Sequence, residues 1–342
     1  MKKTFLFYDI ETTGLHKAFD QILTFAAIRT DLDLRELERV SVVVQLRCDV
    51  VPSPGAFTTH RLSLKSLARG VCEYQAARHI HQLVNAPGTI SVGYNTLGFD
   101  DEFLRFTFYR NLLDPYTHQY ANGCGRMDIL PLAVLYRLFA PLDIRWPVDG
   151  DGAPSMKLEH ISRDNALVTS GRAHDAMTDV EATLELARRL FVRRDMWDFC
   201  LNFFTKPGES RNMARLEQHV IGETGTFCLG IMVSVAFGGQ RQYMAPVLGI
   251  GASRVYANQT LWLRLDLPGF PGGANEPESP DKVFVIRKKN GEPPVILPPL
   301  DRFRNRLTSE QLALVTQNLS ALAGHPQWFS RLIEYHRDYA YP

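Results

Sequence analysis

The chain has 342 residues, enough for two domains, with 45% hydrophobic and 22% charged residues and a formal net charge of +1. That composition excludes a disordered or fibrous polypeptide, and the near-neutral balance excludes overall charge as the means of holding nucleic acid. The 5 cysteines are scattered, odd in number and without a C-x-x-C pair, which argues against a zinc site or disulfide framework and for a reducing compartment. The apolar run behind Lys2 and Lys3 stops at Asp9, too short for a signal peptide, and no stretch approaches a membrane span. A soluble cytoplasmic protein with no membrane partner is expected.

Phe5–Ile10 is a continuous apolar and aromatic run, as in a strand buried on both faces, and Ile22–Ile28 and Val40–Leu46 read as further strands. Helices are expected near Leu62–Ala68 and Glu73–Val84, a strand at Thr89–Tyr94, and a helix from Asp100 to Leu113. Ile129–Phe139, Leu158–Arg163 and Ala176–Val192 complete an α/β region; the last carries Val180, Leu184, Ala187 and Leu190 at helical spacing. After residue 200 the character changes. Thr226–Val235, Leu261–Leu267, Val283–Arg287 and Val295–Leu297 are short strand candidates, Asn290-Gly291 is a hairpin signal, and Gly269–Pro280 is a loop. Two helices, Ser309–Leu322 and Gln327–Tyr339, follow.

Asp9 and Glu11 interrupt the first strand, and positions two apart share a face, so both carboxylates point the same way. Such a pair is costly in a buried strand unless a cation sits between, and a divalent metal is one answer. The other is a strand ending at Tyr8, with both acids solvated in the turn of Thr12-Thr13-Gly14. Asp100 and Asp101, after Gly93-Tyr94-Asn95 and Phe99, open a helix, where capping is an ordinary role. His174 and Asp179 converge only if His174 precedes the helix and Asp179 lies in its first turns; a histidine so placed is otherwise a surface residue or cap.

Together, Asp9-Ile10-Glu11-Thr12-Thr13-Gly14, Asn95…Phe99-Asp100 and His174-Asp175-Ala176…Asp179 resemble the motifs of the DEDDh 3′→5′ exonucleases. Phe25–Asp31, Phe108-Tyr109-Arg110-Asn111, Leu158-Glu159-His160 and Ala173–Met177 extend the likeness toward the bacterial exonuclease I family over nearly the whole chain, fading after residue 250. The resemblance implies an RNase H-like α/β exonuclease domain with a mixed sheet over residues 1–200, an SH3-like β domain over 201–300, and a short helical segment over 301–342. The family's helical C-terminal domain is longer, so a more open groove and reduced processivity are expected. It further implies hydrolysis of single-stranded DNA to mononucleotides with two Mg²⁺ ions, for which Mn²⁺ substitutes. Asp9, Glu11, Asp100 and Asp179 hold the metals, and His174 serves as general base. Asp175, where a variant subclass has tyrosine, favours the histidine subclass.

Thr12, Thr13, Gly14 and Leu15 lie beside the terminal nucleotide by the same analogy, Asn95 supports the second motif, and Asn95 and Phe99 are counted with them as substrate-binding. Phe57, Tyr94, Phe99 and Phe103 are candidates for base stacking. Arg188–Arg194 and Arg287–Lys289 with Arg302, Arg304 and Arg306 are either solvated surface or a phosphate track. RNA as substrate, a catalytically silent binding module, and a single-strand-binding protein as partner are the alternatives and additions the sequence leaves open.

Overall fold

The computed structural model describes residues 2–150, 152–168, 175–271 and 283–341. Two compact units are present, Met1–Asp149 with Ser155–Trp197, and Gly150–Pro154 with Asp198–Pro342.

In the first unit the chain forms β1 (Thr4–Thr12), β2 (Ile22–Thr30) and β3 (Glu36–Val43) as a meander, then α1 (Pro54–His60), α2 (Leu64–Leu67) and α3 (Glu73–Val84). β4 (Thr89–Gly93), α4 (Asp100–Arg110), β5 (Gly125–Asp128), α5 (Ile129–Phe139), α6 (Leu158–Asn165) and α7 (Ala176–Phe191) complete it. The sheet order is β3-β2-β1-β4-β5, antiparallel across β1–β2 and β2–β3 and parallel across β1–β4 and β4–β5. β1 is therefore central, and its alternating side chains serve both faces. Leu6, Tyr8 and Ile10 enter a core with Ile80, Leu83 and Val84 of α3 and Phe103, Leu104 and Phe108 of α4. Phe5 meets Trp197 edge-on at 6.5 Å, and α7 packs on β1 and β2.

The second unit contains α8 (Arg194–Leu201), which begins in the first, then α9 (Lys206–Met213), β6 (Glu217–Ile221), β7 (Gly225–Val233), β8 (Met244–Ala252) and β9 (Gln259–Arg264). β10 (Val285–Lys289), β11 (Val295–Leu297), α10 (Asp301–Arg304), α11 (Ser309–Gly324) and α12 (Pro326–Asp338) follow. Its strands form one antiparallel sheet, β10-β9-β8-β7-β11, with β6 on β7. Leu248, Ile250, Leu261 and Leu263 share a core with Leu322 of α11 and Phe329, Leu332 and Ile333 of α12. An α/β unit with a mixed sheet followed by an antiparallel β unit is the expected fold class.

The differences have local causes. The third strand lies at Glu36–Val43 rather than Val40–Leu46: it is an edge strand with mostly exposed side chains, so no apolar pattern marks it. β5 was not expected because GRMD is short and polar, and it is held by parallel pairing to β4. β8 was obscured by Pro246, Gly249 and Gly251. Gly249 packs tightly there, since a Cβ would lie 3.1 Å from the ring of buried Trp262. Asn290-Gly291 turns the chain, with Gly291 at φ +80°, yet it makes no hairpin: β10 and β11 occupy opposite ends of the strand order. The Gly269–Pro280 loop lies largely outside the described residues.

Phe103, expected as a stacking ring, is fully buried between sheet and helices. Phe103→Ala is expected to destabilise the first unit by about 3–5 kcal/mol through the cavity it leaves. A denaturant midpoint unchanged from wild type in far-UV circular dichroism would contradict this core assignment.

Candidate active site

β1 delivers Asp9 and Glu11 opposite Ala26 and Thr24 of β2, and a register shift after Glu11 ends regular pairing. Asp179 arrives from the first turns of α7, whose start is fixed by Asp175. The Asp175 carboxylate accepts from the Thr178 amide at 3.2 Å and its hydroxyl at 2.9 Å. One oxygen from each of Asp9, Glu11 and Asp179 lies within 4.8 Å of the others, a donor set of hard oxygens suited to a divalent cation such as Mg²⁺.

Asp100, the first residue of α4, lies outside that trio and is buried. The backbone amides of Asp100 itself and of Ile10 on β1 favour its ionised form. Burial pushes its pKa up to about 8 against the pull of those amides. Asp9 is raised well above the usual carboxylate range, first by burial and then by the charges of Asp100, Asp179 and Glu11. Asp101, the neighbour that shared the capping role in the sequence, is engaged elsewhere: it pairs with His118 at 3.0 Å and Arg126 at 2.5 Å, and these partners hold it ionised.

The segment Thr12–Leu15 is built around Asp20. Its carboxylate accepts from the Thr13 hydroxyl at 2.8 Å and the His16 amide at 2.7 Å. A Cβ on Gly14 would sit 2.6 Å from that carboxylate, so glycine is needed for the close approach. Thr12 and Thr13 are buried, and the Thr12 hydroxyl donates to the Gly14 carbonyl at 2.7 Å, whereas Leu15 stands 81% exposed. Their hydroxyls therefore work inside the protein, and Leu15 is the side chain presented outward.

Asn95 is exposed with φ +64°. The segment around it hangs on Asp128, an acid that sequence reading passed over. Asp128 caps α5 through the Leu130 amide at 3.0 Å and accepts from the amides of Asn95 at 2.8 Å and Leu97 at 3.3 Å. Burial lifts its pKa to about 6 despite these donors. Asp20 and Asp128 were missed because single acids in turns carry no spacing signal. The one available cue was Asp128 directly before an apolar helical run, the ordinary position of a cap.

Of the other expected rings, Phe99 is half-buried against Phe103 at 4.9 Å, Phe57 packs on His60 at 4.8 Å, and Tyr94 donates to the Met156 carbonyl at 2.5 Å. The basic tracts are largely committed. Arg193 pairs with Asp143 at 2.6 Å and Arg194 with Asp33 at 2.8 Å, while Lys288 is buried against Glu209. Arg302, Arg304 and Arg306 are exposed. His174 lies outside the described residues.

The carboxylate energetics give a pH signature. Asp100 has a folded pKa above its unfolded value, so the stability it contributes is complete below about pH 4 and is lost as pH rises through 8. In metal-free buffer, Asp100→Asn is therefore expected to melt above wild type by a margin that widens between pH 4 and pH 8. A margin that is constant or shrinks with pH in thermal melts with EDTA would contradict the raised pKa.

The exonuclease family model RNase_T matches residues 6–187. Exodeoxyribonuclease I of Escherichia coli K12 is 37% identical over 219 residues, covering 63% of this chain and 45% of that protein. Among solved structures, E. coli exonuclease I in complex with a dA16 oligonucleotide matches with a TM-score of 0.82 at 26% identity, over 99% of this chain and 74% of that one. The SSB/exonuclease I crystal structure in complex with the inhibitor CFAM gives 0.83 at 27% identity, over 100% and 75%. The chain spans about half the length of the curated exodeoxyribonuclease I sequences it matches. With the family model covering more than half the residues and a matching fold, the chain belongs to the RNase T exonuclease family and is exonuclease I-like within the DnaQ-like superfamily.

Proposed function

We propose that this chain is a Mg²⁺-dependent 3′→5′ exodeoxyribonuclease that removes mononucleotides from single-stranded DNA. The observation that carries the reading is the convergence of Asp9, Glu11 and Asp179 within 4.8 Å, with the charge of Asp100 acting on Asp9. Family membership and the likeness to exonuclease I support the reaction class, and the likeness to an oligonucleotide complex supports the substrate.

In this reading Asp9, Glu11, Asp100 and Asp179 hold two divalent ions, directly or through water. Those ions, when bound, supply charge for the phosphate oxygens and the leaving oxygen and raise the acidity of water. The protein's own part is placement. β1 and α7 fix three of the acids, and the start of α4 carries the fourth. His174, preceding α7, takes the proton from the attacking water, a task suited to an imidazole that titrates near neutrality. The Thr12–Leu15 turn receives the terminal nucleotide, with Leu15 against its base. A single-strand-binding protein is proposed as partner on the likeness to the SSB/exonuclease I structure.

The deciding experiment is digestion of end-labelled single- and double-stranded DNA and RNA with and without Mg²⁺. Metal-dependent shortening of single-stranded DNA from the 3′ end is expected; faster loss of matched RNA, or no cleavage, overturns the assignment. Asp9→Ala and Asp179→Ala are each expected to abolish cleavage in a folded protein, and turnover equal to wild type at the same metal concentration would exclude them as ligands. His174→Ala is expected to lower turnover roughly a hundredfold or more. A pH–rate profile in which that variant keeps the full wild-type acidic limb would remove His174 as the base.

A further inference from the structure

The turn joining β1 and β2 carries an aromatic ring that the unit's packing does not use. Phe19 is 77% exposed, although almost everything around it is fixed. The amides of Phe19 and Asp20 donate to the His16 carbonyl at 3.0 and 2.8 Å. Arg110, at the end of α4, donates to the carbonyls of Ala18 at 3.2 Å and Asp20 at 3.1 Å, and is itself held by Glu73 at 2.7 Å. Lys17 reaches across to the Gly98 carbonyl at 2.5 Å, joining this turn to the segment that leads into Asp100. The carbonyls on both sides of Phe19 are clamped, yet its ring remains in solvent. Among the described residues its ring neighbour is exposed His16, tilted by 45° at a centroid distance of 4.7 Å.

A rigid backbone presenting an exposed ring loses little conformational freedom when a flat ligand stacks on it. The turn begins two residues after Glu11, and Leu15 stands exposed on the same turn. We propose that Phe19 is a stacking platform for an unpaired base of the single strand whose 3′ end lies at the acid cluster. The proposal rests on the exonuclease reading and names a substrate contact beyond it. His16 sets a polar ring beside that of Phe19, and a base can stack on the face left open. A base within a duplex is already stacked and cannot use the ring, so the contact favours single strands.

The test is equilibrium binding of a 5′-fluorescein oligodeoxynucleotide by anisotropy in EDTA, where no cleavage interferes. Phe19→Ala is expected to weaken binding about five- to a hundredfold, and Phe19→Tyr to restore it. A series of oligonucleotides with one abasic residue at successive positions then locates the partner. At one position the wild type should show the same loss, and Phe19→Ala no further loss. Equal affinity of Phe19→Ala and wild type, or a Phe19→Ala loss that persists at every abasic position, overturns the stacking proposal. Mg²⁺-dependent digestion by the wild type separates this from the parent reading. An active chain whose binding ignores Phe19 loses only the platform, and an inactive chain whose binding depends on Phe19 loses only the exonuclease. A wild type that binds no oligonucleotide in EDTA overturns the platform, and one that also digests none with Mg²⁺ overturns both.

Discussion

Bringing Asp9, Glu11 and Asp179 within 4.8 Å of one another sets like charges together where water is scarce. At an effective dielectric near 20, each such pair costs on the order of 3 kcal/mol. Several pairs together rival the whole net stability of a domain. The metal-free protein relieves this by keeping protons, as the raised pKa of Asp9 and the value of about 8 for Asp100 record. A cation relieves it without protons. The surrounding structure is arranged to keep the acids close despite their repulsion. β1 is the central strand, α7 packs directly on it, and α4, which opens with Asp100, shares a core with Leu6, Tyr8 and Ile10 of β1.

Neighbouring acids in the same segments have been given a different task. Asp101 is locked by His118 and Arg126, Asp128 by backbone amides, Asp20 by Thr13 and His16, and Asp175 by Thr178. Each of these spends its oxygens on building a turn or a helix start. Side by side, Asp100 and Asp101 show how one residue of displacement separates the roles. The second faces His118 and the Arg126 guanidinium and stays ionised, while the first is buried among acids and is pushed toward its neutral form.

The sequence made the buried elements legible. Strands such as β1 and β2 and the α7 face of Val180, Leu184, Ala187 and Leu190 announce themselves through apolar periodicity. β3 and β5 did not, because their stability comes from pairing with neighbours rather than from their own composition. The acids followed the same logic. Asp9 and Glu11 stood out by interrupting an apolar strand, whereas Asp100 and Asp101 were indistinguishable until the tertiary partners of each were known. Phe103 looked like Phe99 in the sequence, and burial alone separates a core ring from a surface one. Phe19 was not singled out, since an exposed ring becomes informative only when the clamping of its flanking carbonyls is seen.

The near-neutral total charge has a consequence for how a polyanion would reach such a site. With a formal net charge of +1 and arginines such as Arg193 and Arg194 already paired with acids, the overall charge does little to draw in a polyanion. A metal-free cluster of acids repels a phosphodiester approaching at close range. Divalent cations, held by the same four side chains as proposed, would reverse that local sign, so the ligands assigned to cleavage would also govern access. Binding of metal and of nucleic acid would then be coupled, and linkage requires the coupling to be reciprocal: whatever metal does for the affinity of the strand, the strand does equally for the affinity of metal. Stacking contacts such as that proposed for Phe19 carry no charge and lie outside this linkage. They would hold a strand when the carboxylates are bare, leaving the metal to decide how closely its phosphates approach.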